Sequence, residues 1–319
     1  MSGAAAESAV RTVFFGSGSF AVPILDALAA MPGIRVVAAV SAPDRPSGRK
    51  ALVTATPVTA RARELDLPVL QPARVRRPEA VEELSAVAPD LVVLADYGQL
   101  IPRVLLDLPP RGFLNLHPSA LPRHRGAAPI PATILAGDTE SAVSLMIVTE
   151  GLDEGPIVAS APLEVRPDDT AVALEARAAG VAAELIRRAL PEWLAGRLVA
   201  RPQGTEGVTV TRPMRREDGR LDVTADVEAL ERQTRAYQPW PGSYLETPVG
   251  RLIVWQATVC PGAAGDDASA IVAEGDGVAL VAGGEGRLRL DVVQLAGKTR
   301  MRGVELRRGY PGVIGKCLG

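Results

Sequence analysis

The sequence predicts a doubly wound α/β domain with a parallel-rich sheet, followed by a smaller domain built as a β-barrel. Apolar runs alternate with amphipathic helical stretches through about the first two hundred residues, a rhythm typical of parallel sheets with right-handed crossovers. After Pro202, short apolar runs are instead separated by glycine-rich turns, as in hairpins. A chain of 319 residues also exceeds the usual size of a single hydrophobic core, which favours two domains.

The first domain is predicted from repeated strand and helix patterns that end near Gly196. Its first strand, VRTVFFG, turns on glycines into a helix from Ala21 to Ala30. The further predicted strands are RVVAAV, PVL, DLVVLA, FLNLH and AVSLMIV. The further predicted helices are VTARARELDL, RRPEAVEELSAVAPD, a part of AAPIPATILAG, and the long TAVALEARAAGVAAELIRRALPEWLAG.

The second domain is predicted from short strands around one helix, ADVEALERQTRAY, whose apolar spacing is helical. Its predicted strands are TVTRPM, GRLDV, RLIVWQATV, GVALVA and RLRLDVVQL, with turn signals at TPVG, EGDG and GGEG. We therefore expect a catalytic domain over 1–196, a linker over 197–206 and a C-terminal domain over 207–319.

Composition excludes several classes of protein. The formal net charge of −2 gives no global basic field, so any nucleic acid must be held by local patches. Two cysteines exclude a disulfide framework or a cysteine-rich metal site, and two histidines in one loop do not form a convincing ligand set, so no metal is expected. No leader-like start and no apolar run approaching eighteen residues is present, so we expect a cytoplasmic protein without membrane partners.

The segment GSGSFA at 16–21 matches a dinucleotide-binding fingerprint, since it follows a strand and opens a helix. The acidic residue that should end the second strand is missing, because Val40, Ser41 and Ala42 stand there. We therefore interpret Gly16 and Gly18 as turn residues and expect no bound nicotinamide cofactor.

Three residues predict the chemistry: Asn115, His117 and Asp153. Asn115 and His117 are two positions apart on a predicted strand, so both side chains leave the same side of it. An amide donor, a group that titrates near neutrality and a carboxylate to tune it are what transfer of an acyl-type carbon between nitrogens requires. The chain is thus predicted to be an enzyme. His124 lies between two arginines in a proline-bounded loop, and we expect it to be solvated or at the edge of a ligand.

The chain resembles the methionyl-tRNA formyltransferases, a branch of the folate-dependent formyltransferase family, over nearly its full length. The segments that carry the resemblance are FFGSGSFAVPILDAL, PDRPSGR, LPVLQP, YGQLIP, NLHPSALPRHRGAAPI, GLDEG, RAYQPWPGSYLE and VWQATV. The resemblance implies a Rossmann-like formyltransferase domain joined to an OB-like barrel. It also implies transfer of a formyl group from 10-formyltetrahydrofolate, a co-substrate, to the amino group of initiator methionyl-tRNA in support of translation initiation, by a monomer.

The resemblance further implies which residues bind the folate. They lie in three loops and are Tyr97, Gly98, Ser119, Ala120, Leu121, Pro122, Gly151 and Leu152. Exposed cationic residues could together follow the phosphates of a tRNA acceptor stem, although each alone is typical of a solvated face. The predicted tRNA-binding residues are Arg45, Arg49, Lys50, Arg212, Arg215, Arg216, Lys298 and Arg300.

The sequence departs from the family pattern at three places. The loop at 42–58 carries fewer lysines than the family's loop, Asp96 replaces a small apolar residue, and His124 replaces an aromatic one. We expect Asp96 to point away into a polar strand end, the alternative being an altered donor pocket.

The chemical roles of the three residues follow from the reaction. Asn115 is suited to donate to the oxygen of a tetrahedral intermediate. His117 is a second donor if cationic and takes the amine proton if neutral, and the sequence leaves both open. Asp153 is hypothesised to favour the protonated imidazole and to assist proton movement.

Three other functions remain as alternatives. A formyltransferase that acts on a small amine would share the first domain and would not need the basic clusters of the second. A non-catalytic folate- or nucleotide-binding module would tolerate loss of His117. An NAD-dependent oxidoreductase would bind its cofactor at the glycine loop.

Overall fold

A computed structural model describes residues 9–47, 52–263, 265–267, 269–283 and 286–317. Its internal contacts define two compact units. The first comprises the described residues up to Pro129, then Glu140–Glu164 and Glu175–Thr211; the second comprises Ile130–Thr139, Val165–Leu174 and the described residues from Arg212 onward. The segment 197–206, which we predicted to be a linker, belongs to the first unit together with 207–211.

Strands and helices alternate up to Leu194, as the sequence pattern predicts. The strands of the first unit are β1 (Val10–Gly16), β2 (Ile34–Val40), β3 (Arg45–Ser47), β4 (Leu52–Thr54), β5 (Val69–Leu70), β6 (Leu91–Ala95), β7 (Phe113–His117), β8 (Arg125–Gly126), β9 (Glu140–Ile147), β10 (Ile157–Glu164) and β11 (Val210–Thr211). The helices in this part of the chain are α1 (Val22–Ala29), α2 (Pro57–Glu64), α3 (Pro78–Ala86), α4 (Arg103–Leu106), α5 (Pro129–Ala136) and α6 (Ala171–Leu194).

The first unit is built on a seven-stranded sheet with the order β10-β9-β7-β6-β1-β2-β5. The five strands from β7 to β5 in this order run parallel. Their apolar runs are continuous because both faces of a parallel sheet are covered, and Phe14, Leu91 and Leu114 are fully buried in them. The predicted Rossmann-like fold is thereby confirmed.

The direction of β9 differs from our expectation that it continues the parallel pattern. It runs antiparallel to β7, with Asn115 opposite Met146 and His117 opposite Ser144, and β10 is antiparallel to β9. The physical reason for the error is that an apolar run indicates a buried strand without indicating its direction. As a result the GLDEG loop, which follows β9, must turn back to reach the end of β7.

The elements of the second unit are α7 (Val227–Ala236), β12 (Ser243–Thr247), β13 (Gly250–Pro261), β14 (Ala270–Glu274), β15 (Gly277–Val281), β16 (Gly286–Leu295), β17 (Met301–Arg302), α8 (Gly303–Gly309) and β18 (Gly315–Lys316). The strands form a curled antiparallel sheet with the order β12-β13-β16-β15-β14-β18, and a seventh strand, β17, pairs with β16. The sheet is a half-barrel, in agreement with the OB-like β-barrel domain that we predicted.

A separate core holds the second unit together, with Leu252, Val254, Leu280 and Leu290 at its centre. The prediction of a strand over GRLDV is wrong, because Arg220 makes only an isolated bridge with Tyr244.

None of the described helices combines the length and the apolar character that crossing a membrane requires.

Candidate active site

Strand β7 presents Asn115 and His117 to the same side of the sheet, as their spacing predicts. Both side chains are nearly closed off from solvent, with residue exposures of 6% and 5%. The neighbouring strand β9 holds them in register, and Ser144 on that strand donates a hydrogen bond of 2.8 Å to the backbone oxygen of Ser119. The pairing with β9 and this hydrogen bond therefore fix the end of β7 that carries Asn115 and His117.

The GLDEG loop brings Asp153 to these two residues. Its Oδ1 lies 3.4 Å from Asn115 Nδ2, and its Oδ2 lies 3.6 Å from His117 Nδ1. The backbone N–H of Gly126 donates to Oδ2 at 2.8 Å, so the carboxylate accepts from two donors while it faces the imidazole. Asp153 adopts a positive φ of 48°, a left-handed conformation that is uncommon for residues other than glycine.

The hydrogen bonds of His117 fix which ring nitrogen faces the carboxylate. Its Nε2 lies 2.9 Å from the backbone oxygen of His124, and since a carbonyl can only accept, Nε2 carries a proton. Nδ1 is then the ring atom that can gain or give up a proton, and it is the one that points to Asp153. The three predicted residues are thus brought together.

Asn115 has an unused hydrogen-bonding atom. Its Oδ1 is buried without a partner in the described structure, and one of the two Nδ2 hydrogens is not needed for the contact with Asp153. Unpaired buried polar atoms are rare in folded proteins and are concentrated at functional sites.

The predicted folate-binding segment at 119–122 forms a tight turn after β7. Ser119 is fully buried and donates from Oγ to the backbone oxygen of Arg123 at 2.7 Å, whereas Ala120 is exposed. Leu121 is buried, and the peptide bond between Leu121 and Pro122 is cis. Within the turn, the N–H of Ser119 donates to the backbone oxygen of His117 at 2.9 Å and the N–H of Leu121 donates to that of Ser119 at 3.0 Å, so hydrogen bonds fix its main chain.

His124 is buried, with an exposure of 5%, so our expectation of a solvated residue is wrong. The reason lies in a segment far along the chain. Thr209 accepts a 2.7 Å hydrogen bond from the N–H of His124, and β11 pairs with β8 beside it. Arg125 likewise donates from Nε and Nη2 to the amide oxygen of Gln203, at 2.9 and 2.7 Å.

The remaining predicted folate residues lie in two other loops of the first unit. Tyr97 is buried and packs edge-on against Phe15, with ring centroids 5.1 Å apart, and burial raises the pKa of its hydroxyl. Gly98 has a φ of +78°, which suits glycine. Gly151 and Leu152 precede Asp153, and Leu152 is 45% exposed.

Asp96 turns its carboxylate toward the backbone of Gly18, whose N–H donates to it. A Cβ at position 18 would overlap the carboxylate, so the second glycine of the GSG turn makes room for Asp96. Although the residue is exposed overall, the protein around its carboxylate excludes much of the water. This desolvation, together with repulsion from Glu175, raises the pKa of Asp96 to about 6.

The predicted tRNA-binding residues lie in different surroundings. Arg45 is exposed in the first unit, on the strand that pairs with β4, and Arg49 and Lys50 lie outside the described residues. In the second unit, Arg212 forms a two-pronged pair with Asp218 and lowers the pKa of that carboxyl to about 2. The remaining members of the set are exposed: Arg215, Arg216, Lys298 and Arg300.

Arg300 is distinguished by an aromatic partner. Its guanidinium carbon lies 3.5 Å from the ring centroid of Trp255. The indole N–H of Trp255 donates to Gln294, whose amide in turn donates to the backbone oxygen of Lys298, so Trp255 is tied to the segment that carries Arg300. Such a pair presents a flat cationic surface.

Comparisons with known proteins agree with this architecture. Residues 10–190 match the family described as formyl transferase, and residues 213–311 match the formyl transferase C-terminal domain. The chain belongs to the formyl transferase family. A methionyl-tRNA formyltransferase of Myxococcus xanthus is 41% identical over 300 residues, which cover 94% of this chain and 95% of that protein. One from Thermus thermophilus is 42% identical over 313 residues, covering 97% and 99%.

Solved structures show the formyl transferase fold as well. An N-formyltransferase of Helicobacter canadensis, solved with folinic acid and dTDP-3-aminofucose, superposes with a TM-score of 0.65. The superposed region covers 88% of this chain and 98% of that protein, at 13% sequence identity, so the likeness is one of fold. Among the described residues, no group of three or more His, Cys, Asp or Glu side chains could hold a metal ion.

Proposed function

We propose that the protein transfers a formyl group from 10-formyltetrahydrofolate to the amino group of initiator methionyl-tRNA, in support of translation initiation. The observation that carries the proposal is the convergence of Asn115, His117 and Asp153 in a member of the formyl transferase family. Relatives that are about two-fifths identical over nearly the whole chain are methionyl-tRNA formyltransferases, and this supports the choice of acceptor.

The chemistry needs a group that stabilises negative charge on the formyl oxygen. The amine nitrogen attacks the formyl carbon, a C–N bond forms, and the carbonyl oxygen becomes an oxyanion in the tetrahedral intermediate. The Nδ2 of Asn115 has a hydrogen to spare for that oxygen, in a site from which water is largely excluded.

The chemistry also needs to move one proton. The attacking amine loses a proton, and the nitrogen of the folate takes one when its bond to the formyl carbon breaks. Nδ1 of His117 is the exchangeable position of the imidazole, and Asp153 beside it stabilises the ring when it is charged. We assign His117 to proton transfer and Asp153 to its support.

For the folate, we propose that it is bound by the backbone of 119–122 and by the loops at 97–98 and 151–152. The tight turn after β7 is held by buried hydrogen bonds of Ser119 and Ser144, which keeps its main chain in one position. Formyltransferase-fold structures solved with folinic acid or tetrahydrofolic acid support a folate as the donor.

For the tRNA, we propose that residues 207–319 form the binding domain and that 1–196 carry out catalysis. Lys298 and Arg300 are exposed and make no ion pair with a described carboxylate, so their charge is free to meet phosphate. Arg212 is neutralised by Asp218 and is expected to contribute less. Arg45, Arg49 and Lys50 are proposed to supply the first domain's contact.

The proposal is tested by incubating the protein with 10-formyltetrahydrofolate and with initiator or elongator methionyl-tRNA in parallel. We expect N-formylation of the initiator at a rate well above that of the elongator. Formylation of neither tRNA, with transfer to a small amine such as an amino sugar instead, would overturn the proposed acceptor. Binding of folate without any transfer would overturn the assignment of an enzyme.

A further inference from the structure

Gln203 lies between Pro202 and Gly204 in a polar stretch that gives no hint of function in the sequence. We infer that Gln203 is a positioning residue that holds Asp153 in its working conformation, an inference that rests on the proposed function. It acts on the reaction through Asp153 and does not itself touch the reacting atoms.

Four hydrogen bonds surround the side-chain amide of Gln203. Nε2 donates to the backbone oxygens of Asp153 and Gly155, each at 2.8 Å. Oε1 accepts from Nε and Nη2 of Arg125, at 2.9 and 2.7 Å. Both hydrogens and both lone pairs of the amide are therefore in use.

The chemistry of the partners dictates a glutamine at this position. Carbonyl oxygens can only accept and a guanidinium can only donate, so the amide has one possible orientation. A glutamate of the same shape would keep the bonds to Arg125 and would direct a carboxylate oxygen at two carbonyl oxygens. An apolar residue of similar length would lose all four bonds.

The contacts form a closed ring around the catalytic carboxylate. Gln203 holds the main chain of Asp153 on one side and the side chain of Arg125 on the other. Arg125 precedes Gly126, whose N–H donates to Asp153 Oδ2 at 2.8 Å. One amide thus fixes both the backbone that carries the carboxylate and the segment that supplies its hydrogen-bond donor.

The positive φ of Asp153 explains why such a clamp is needed. A left-handed conformation is uncommon at residues other than glycine, and at Asp153 the hydrogen bond from Gln203 to its backbone oxygen holds it in place. Released from Gln203, the loop can relax toward ordinary φ values and carry the carboxylate away from Asn115 and His117. A shift of about 1 Å in such a group can reduce the rate about a hundredfold.

The rest of the segment anchors Gln203 itself. Arg201 exchanges two backbone hydrogen bonds of 2.8 Å with Ile157 on β10, and Thr209 and Thr211 bind the main chain at 124–128. None of these anchors contacts Asp153. The direct link from this segment to the catalytic loop is therefore made by Gln203.

The test is a double-mutant cycle between Gln203→Glu and Asp153→Asn, with initiator methionyl-tRNA and 10-formyltetrahydrofolate as substrates. In the wild-type background we expect Gln203→Glu to lower kcat by about tenfold to a hundredfold while both KM values change less than about threefold. In the Asp153→Asn background the same substitution should change kcat by less than about twofold, because the group it positions has already lost its function. Gln203→Met, which adds no charge, should behave in the same way.

The control is Glu206→Gln, an exposed position in the same segment, which should leave kcat unchanged. Equal losses of kcat in both backgrounds, or full kcat in both Gln203 variants, would overturn the inference. The wild-type rate in the same assay reports separately on the proposed function, since that function fails only if the unaltered protein formylates no initiator tRNA.

Discussion

Asn115 keeps a buried amide oxygen that finds no partner in the described structure, at the centre of the candidate site. An unsatisfied polar group of this kind costs about 1–3 kcal/mol of folding free energy. Such a cost is expected where a side chain is placed for a substrate and not for the fold. We therefore expect Asn115 to lower the stability of the free protein and to raise the rate of the proposed reaction.

Replacement of Asn115 by alanine should separate these two effects. We expect kcat to fall by about a hundredfold to a thousandfold, because an oxyanion donor is lost. The free energy of unfolding should stay the same or rise, because the loss of packing is offset by removal of the orphaned oxygen. Denaturant unfolding and steady-state kinetics on one preparation measure both.

Ser144→Ala is the matched comparison, since Ser144 is also buried and its hydroxyl is hydrogen-bonded. This substitution should lower the free energy of unfolding by about 1 kcal/mol. A loss of stability in Asn115→Ala as large as that in Ser144→Ala would argue against a strained, substrate-directed amide.

Asp96 makes the stability of the first unit depend on pH. Its pKa in the folded protein, about 6, lies above the ordinary value, so the folded state binds this proton more tightly than the unfolded state. The folded state is therefore favoured at pH 4 and loses that advantage as the pH rises through 4 to 6. Asp96→Asn, which keeps an acceptor for the N–H of Gly18, should melt at a higher temperature than wild type at pH 7.5, and the difference should be clearly smaller at pH 4.5. A difference of the same size at both pH values would contradict this explanation.

At the level of the elements, the GLDEG loop depends on a close approach of backbones. A Cβ at Gly155 would overlap the backbone oxygen of Ile147 on β9, and the oxygen of Gly155 accepts from Gln203. Gly126 likewise leaves no room for a Cβ, since a side chain there would overlap the backbone oxygen of Thr211. Gly155 and Gly126 are thus explained by packing of main chain against main chain.

Gly155→Ala should lower the free energy of unfolding by about 1–3 kcal/mol, since β9 cannot move without disturbing the sheet. It should also reduce kcat, because Asp153 is displaced with the loop. Gly180→Ala is the control, because Gly180 lies inside α6 with open space around it. There the substitution should stabilise the protein by about 0.5–1 kcal/mol, as alanine favours helix. Equal effects of the two substitutions on urea unfolding would contradict the predicted backbone clash.

The sequence predicts some elements well for clear physical reasons. The side-by-side placement of Asn115 and His117 follows from the period of a strand, and α6 follows from its long helical repeat. The direction of β9 and the contacts of Gln203 were not predictable. An apolar run does not encode strand direction, and a glutamine between proline and glycine resembles a linker residue until distant loops are seen to meet it.

For the whole molecule, the small net charge means that binding of a polyanion must come from local groups. Two arginines of the second unit lie over aromatic rings, Arg300 over Trp255 and Arg251 over Tyr244. They differ in that Arg251 also forms an ion pair with Glu246. Substitutions at the two sites therefore compare an arginine without a described ion-pair partner, Arg300, with one that is neutralised, Arg251.

Arg300→Ala should weaken binding of initiator methionyl-tRNA by about tenfold and reduce the slope of log Kd against log salt by about one. Arg251→Ala, whose charge is already compensated by Glu246, should change neither by more than about twofold. Titrations over a range of salt concentrations measure both quantities. Equal salt slopes for Arg300→Ala and the wild type would exclude Arg300 from the tRNA contact.

The family and the folds of both domains were predictable at this scale because motifs such as GLDEG and the block from Asn115 to Pro129 are distributed over the chain. The pairing of charges was not, since Arg212 and Arg300 look alike in the sequence and differ only in what lies beside them. Counting basic residues in the sequence therefore overestimates how many cations are available to bind phosphate.

The most direct test of the catalytic assignment is the single-turnover rate of formyl transfer to initiator methionyl-tRNA by a variant with Asn115→Ala, His117→Ala and Asp153→Asn combined. If these side chains perform the chemistry, the rate should fall by at least about a thousandfold while the Kd for the tRNA changes less than about threefold. A triple variant that is folded and retains the wild-type rate within about tenfold would show that the reaction takes place elsewhere.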